Sequence, residues 1–128
     1  MIYDWCTGAK NENGKLIAFN LTDNQSTNPE KYNENCIWIN KEIHLLPTVK
    51  FIRPEGVHKT WQIKDKLGMI DLKFTPTVEN SFLLNLLIIK SDYYGPFGIF
   101  EGFIKLQNFG KIYLNDYFGM GEQKFVRG

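Results

Sequence analysis

Asp4, Glu101 and Glu122 are the carboxylates whose neighbours could turn an ordinary acid into a working one. Asp4 precedes Trp5, Glu101 stands between Phe100 and Gly102, and Glu122 follows Gly119-Met120-Gly121. A carboxyl group buried on an apolar face has its pKa raised by desolvation and can serve as a general acid or base. On a face turned to water it is a solvated charge. For Glu101 the alternation leaves both open; for Glu122 the plainer role is to anchor Arg127 or a backbone amide. Polar groups beside large aromatics recur elsewhere. Asn20 follows Phe19, and Asn33-Glu34-Asn35 runs ahead of Trp38. Such side chains cap loops through local backbone bonds or orient a ligand at the mouth of a barrel.

The recognised catalytic signatures are missing. The chain has no Gly-x-Ser-x-Gly elbow, no His-Glu-x-x-His pair and no Cys-x-x-Cys. His44 and His58 stand alone, whereas zinc takes three or four ligands. No metal and no cofactor is therefore expected. Gly119-Met120-Gly121 lacks the following helix of a dinucleotide loop and reads as a turn. The glycines at 95, 98, 102, 119 and 121 mark turns, bulges or close strand crossings. Cys6 and Cys36 are too few for a disulfide framework. They read as reduced thiols of a cytoplasmic protein, with a single Cys6–Cys36 bridge as the alternative.

The elements that must hold these groups are strands. Of 128 residues, 43% are hydrophobic and 15% aromatic, including ten Phe, six Tyr and three Trp, with a net charge of +1. That balance excludes a disordered chain and gives no basic surface for nucleic acid. A single domain over 1–128 is expected. No secretion signal is visible at the start, and the longest apolar run, Phe82 to Ile89, is too short to span a membrane. Asn20-Leu-Thr22 and Asn24-Gln-Ser26 match the glycosylation sequon as chance matches.

Period-two alternation dominates. It predicts a half-buried strand from Ile43 to Phe51, bent or at an edge at Pro47, and further strands over 70–75 and 99–107. Phe82–Ile89 reads as a strand covered on both faces, and Asn28–Tyr32 as at most a turn of helix. Asn13-Gly14, Asn40-Lys41, Asp65–Gly68 and Asn108-Phe-Gly110 read as hairpin turns. About eight to nine short strands follow. The expected class is all-β, an antiparallel barrel or strongly curled sheet, because curling removes exposed edges.

Six short motifs together resemble a bacterial family known as domain of unknown function 2804. They are Tyr3-Asp4-Trp5-Cys6, Phe19-Asn20-Leu21-Thr22, Asn33-Glu34-Asn35-Cys36 with Trp38, Asp71-Leu72-Lys73-Phe74-Thr75-Pro76, Phe97 to Gly102, and Phe118-Gly119-Met120-Gly121-Glu122 with Arg127. They cover almost the whole chain. The family pattern places an aromatic after the arginine, where this chain has Gly128. The resemblance implies a lipocalin-like (calycin-like) barrel around an apolar cavity, similar to proteins of the hydroxyneurosporene-synthase type. It also implies that the chain corresponds to the C-terminal part of longer members, with Met1 just before the Trp-bearing strand. It assigns no catalytic residue, and likeness of fold does not carry function.

The expected function is a non-enzymatic module that encloses a small apolar ligand. The residues expected at that site are Asp4, Trp5, Asn20, Asn33, Asn35, Trp38, Trp61, Glu101 and Glu122. One alternative is a lyase, hydratase or isomerase on a lipid- or isoprenoid-like substrate, using a buried acid such as Glu101 or Asp4. Another is a structural half-domain that forms a homodimer through exposed strand edges. No nucleic-acid partner and no membrane span is expected.

Overall fold

Asn13 and Gly14 both adopt positive φ, 52° and 78°, the turn geometry whose twist matches that of two antiparallel strands. They join β1 (Ile2–Glu12) to β2 (Lys15–Asn24). The remaining strands are β3 (Cys36–Ile39), β4 (Glu42–Leu45), β5 (Lys50–Ile52), β6 (Trp61–Lys64), β7 (Ile70–Val78), β8 (Tyr93–Tyr94), β9 (Phe97–Leu106) and β10 (Gly110–Phe125). This computed structural model describes residues 2–24, 34–78, 93–107 and 110–125. Asn33, the stretch Asn28–Tyr32, the run Phe82–Ile89, the Asn108-Phe109 half of its turn and Arg127 lie outside the described residues.

The ten strands of the described residues belong to one antiparallel sheet in the order β4-β3-β2-β1-β10-β9-β7-β6-β5, with β8 paired to β10. No helix occurs among the described residues. The expected all-β curled sheet is what forms, with ten strands where eight to nine are expected, one of them only two residues long. Curling follows from the order itself. β4 and β5 stand at opposite ends of the sheet, yet four residues, Leu46–Val49, join them. Four extended residues reach roughly 13–17 Å between strand ends, so the two edges must come round toward each other.

This corrects the single strand expected from Ile43 to Phe51. Pro47 has no N–H for a ladder, and the chain leaves the sheet there. The register of inward residues changes across the gap. Phe51 faces the core opposite Ile63, while Ile43 and Leu45 are exposed. A second correction concerns Gly119-Met120-Gly121, which is no turn. It lies inside β10, a 16-residue strand between β1 and β9.

The inner face carries the core. Phe19, Leu21, Ile37, Trp61, Ile63, Leu72, Phe74, Phe100, Ile104 and Tyr117 are all fully buried. Four of these rings form a chain across the interior. Phe19 meets Phe100 edge to face at 4.9 Å, Phe100 meets Phe74 at 4.6 Å, and Phe74 meets Trp61 at 5.0 Å. Phe19 and Phe100 belong to strands separated by β1 and β10. They touch because those two strands present Gly8 and Gly119 between them; a Cβ on either glycine would collide with these rings. A bulge re-phases β10 between Leu114 and Tyr117, with Asp116 at φ 62°. The extra residue lets Leu114 and Tyr117 both point inward. Burial pushes the Tyr117 hydroxyl up to about 12.

Candidate functional site

Alternation on β1 puts Asp4 on the face of Cys6, and alternation on β2 puts Asp23 on the face of Phe19 and Leu21. The two strands pair Asp4 directly with Asp23. Two carboxylates thus stand side by side on the core face, an arrangement that needs cations. The chain just past the seam supplies them. Arg53 Nη2 lies 2.8 Å from Asp4 Oδ1, with the two side chains 8% and 7% exposed, and Lys50 Nζ lies 3.5 Å from Asp23 Oδ2. The Arg53 guanidinium sits 4.0 Å from the centre of the Trp61 ring and 5.6 Å from that of Phe51. Trp61 is held by its own indole N–H, which donates to Val57 O at 2.8 Å.

Burial raises the Asp4 carboxyl above its ordinary 3.8, and Arg53 offsets this only in part. Asp4 is therefore a buried acid of this fold, fastened to a cation. The Arg53–Asp4 and Lys50–Asp23 pairs join the β5 edge to the middle strands β1 and β2, as a clasp across the sheet's seam. The beside-lying Cys6 thiol is pushed well up by burial, and Cys36 is raised by burial and by Glu34. Both cysteines are free and buried. They face opposite sides of the sheet, since Cys6 pairs with core-facing Leu21 and Cys36 with Asn20.

The sites expected from the sequence divide between two faces. Asp4 and Trp61 point inward. Trp5, Asn20, Trp38, Glu101 and Glu122 belong to the outer face. Trp5 Nε1–H donates to Asn20 Oδ1 at 2.5 Å, and Glu122 lies opposite Trp5 on β10. Glu101 is exposed and paired with Lys73, so the carboxyl group whose face was open is turned to water. His44 lies on the inward side of β4 and approaches Glu42 at 3.4 Å.

Asn35 is fully buried and works as a bracket. Its Oδ1 accepts from Thr22 N–H at 2.7 Å and from Thr22 Oγ1–H at 3.2 Å, while its Nδ2–H donates to Pro47 O at 3.0 Å. It fastens β2 to the linker between β4 and β5. Asn35→Ala is expected to cost about 2 kcal/mol, because it takes the partner from the half-buried Thr22 amide and Pro47 carbonyl. Urea unfolding reads this; an unchanged midpoint would show that the linker is held by other contacts.

Arg53, Lys50 and Asp23 were not among the expected residues. Two of them carried a signal. Asp23 continues the Phe19-Leu21 parity, and Arg53 continues that of Phe51. A charge on the core parity of a strand calls for a partner on the same side.

The outer face holds a second feature. Direct pairing aligns Ile43, Trp38, Ala18, Ala9, Phe118 and Ile99 across six neighbouring strands. Ile43 is 61% exposed and Phe118 56%; the Phe118 ring stacks on Phe97 at 5.9 Å. The two alanines in the middle are flat, and larger side chains rise on both sides. The row is a shallow apolar groove whose floor is two strands, roughly 10 Å, across.

Among the described residues, no group of three or more His, Cys, Asp or Glu could hold a metal ion. Among them, too, no helix is long and apolar enough to cross a membrane. A family model described as Domain of unknown function (DUF2804) matches residues 1–127. No curated protein matches the chain, and no solved structure matches it.

Proposed function

The chain belongs to the family Domain of unknown function (DUF2804), and from that premise we propose that it is a non-enzymatic module binding a small apolar molecule on the outer face of its sheet. The observation that supports this is the groove floored by Ala9 and Ala18 and walled by Trp38 with Ile43 and by Phe118 with Ile99. Monomeric proteins rarely leave such contiguous apolar surface uncovered. The interior is less suited to a ligand, because the ring chain from Phe19 to Trp61 occupies the inner face of the middle strands. Asp4 is less suited to acid–base work, because its carboxyl group is buried against Arg53.

A fluorescent apolar probe such as an anilinonaphthalene sulfonate tests the reading through energy transfer from Trp38. Saturable binding is expected, and Phe118→Lys is expected to weaken it roughly tenfold, about 1.4 kcal/mol. The same variant should unfold at the wild-type temperature, since Phe118 lies on the surface. Binding that Phe118→Lys leaves untouched would place the ligand elsewhere.

A further inference from the structure

We propose that two copies of this chain pair antiparallel across the free edge of β4, about a two-fold axis at Ile43. Toward β3, Leu46 N–H donates to Asn35 O at 2.9 Å, on the same ladder line that pairs Leu45 with Cys36 and His44 with Ile37. Antiparallel ladders alternate bonded and non-bonded pairs. His44 and Glu42 therefore turn their backbone groups to β3, and Ile43 and Leu45 turn theirs away from it. β4 ends the sheet order, and no described strand receives those groups. The side chains of the same two residues are 61% and 81% exposed. The register through β4 runs without a bulge, so the edge lacks one of the devices that blunt free strands.

A second copy fits this edge in one register best. Centred on Ile43, it sets Ile43 against the partner's Ile43 as a bonded pair, with Lys41 against the partner's Leu45 on either side. The Ile43 pair exchanges two N–H···O bonds, and Lys41, in the turn before β4, offers its C=O to the partner's Leu45 N–H on each side, up to about four in all. Glu42 then falls opposite the partner's His44 in the closely spaced non-bonded pair, twice across the axis, a favourable acid–imidazole match. Sliding by two residues sets Glu42 against Glu42 or His44 against His44 and gives up that acid–imidazole match. The pairing rests on the edge alone and not on what fills the outer groove.

Light scattering at rising protein concentration, combined with cysteine cross-linking, tests it. A dimer is expected, and I43C should cross-link to itself under oxidation, because bonded cross-strand pairs hold their Cα atoms about 5.5 Å apart, inside disulfide reach. L45C should not, since two such cysteines would stand about 13 Å apart along the strands. The wild-type chain, with Cys6 and Cys36 buried, is the negative control. Ile43→Asp should be monomeric, with the thermal unfolding that the wild-type chain shows when diluted below its dimer dissociation constant. Phe118→Lys, four strands away in the sheet, should remain dimeric, which separates this pairing from the ligand groove. A monomeric wild type, a dimer that Ile43→Asp leaves intact, or L45C linking as readily as I43C would each overturn it.

Discussion

Arg53→Met is expected to lower the unfolding free energy by about 3–5 kcal/mol at neutral pH, because it leaves a buried carboxylate without its cation. Urea unfolding measures this directly. The methionine keeps most of the contact with Trp61, so the loss reports charge more than packing. Asp4 also gives the effect a pH signature. Its folded-state pKa is raised above 3.8, so the folded chain holds this proton more tightly than the unfolded one. The stability it contributes is fully present below 3.8 and is lost as pH rises through the folded value. Without Arg53 the folded value climbs further. The deficit of Arg53→Met relative to wild type should therefore shrink as pH is lowered from 7 toward 4. A deficit that stays constant over that range would mean that Asp4 does not remain buried in the variant. Asp4→Leu combined with Arg53→Met should recover most of the loss, since a buried pair replaced by apolar side chains is often neutral or better.

Gly119→Ala is expected to cost about 3 kcal/mol, the upper part of the range for overpacked cores. The new methyl would meet Thr7 O of the neighbouring strand, Gly8 Cα at 2.7 Å and the Phe100 ring at 2.9 Å. Two of the three obstacles are backbone, which cannot turn aside as a flexible side chain can. Gly14→Ala is the matched control. Its Cβ would meet nothing within 4 Å, and the cost is that of φ +78° for a residue with a side chain, about 1 kcal/mol. Comparable losses at the two positions would show that β1 and β10 separate readily at Gly119.

The hairpins were readable because turn chemistry is local. Asn13-Gly14 needs only its own two residues to declare itself, and Asp65 likewise holds its turn with its own carboxylate, which accepts from Leu67, Met69 and Ile70 N–H. The seam was not readable. Whether Ile43 and Phe51 share a strand depends on where β5 docks, and that is decided by Asp4 and Asp23, some thirty to fifty residues earlier in sequence. The same gap hid the clasp, since Arg53 beside Pro54 resembles any loop cation until Asp4 is placed next to it. Gly119 and Gly121 misled for a related reason. Glycine in a strand looks like a turn unless the ring that fills its missing side chain is known, and those rings are Phe100 and Trp61, from β9 and β6. Trp5 and Trp38 stand out in the sequence as residues but not as a face, because a curled sheet carries apolar side chains on both sides here.

The pairing of β1 with β10 runs from Ile2↔Phe125 to Ala9↔Phe118, and it sets the order in which the molecule can be completed. On one side of β10 lie β1 to β4, and on the other lie β9, β7, β6 and β5. Each of these arrays can assemble by local hairpins, and among the described residues the ladder that joins them is that of β1 with β10. That ladder has the longest sequence separation in the sheet, the kind of pairing that is slowest to form, and its closure completes the sheet. The same adjacency makes the chain a candidate for circular permutation. Ile2 and Phe125 are cross-strand partners about one strand spacing, roughly 5 Å, apart, so a short glycine-serine link between β10 and β1 could join them, with new ends at Asn13-Gly14. In such a permutant β10 and β1 form a hairpin, and β1 with β2 becomes the pairing between the two ends of the new sequence.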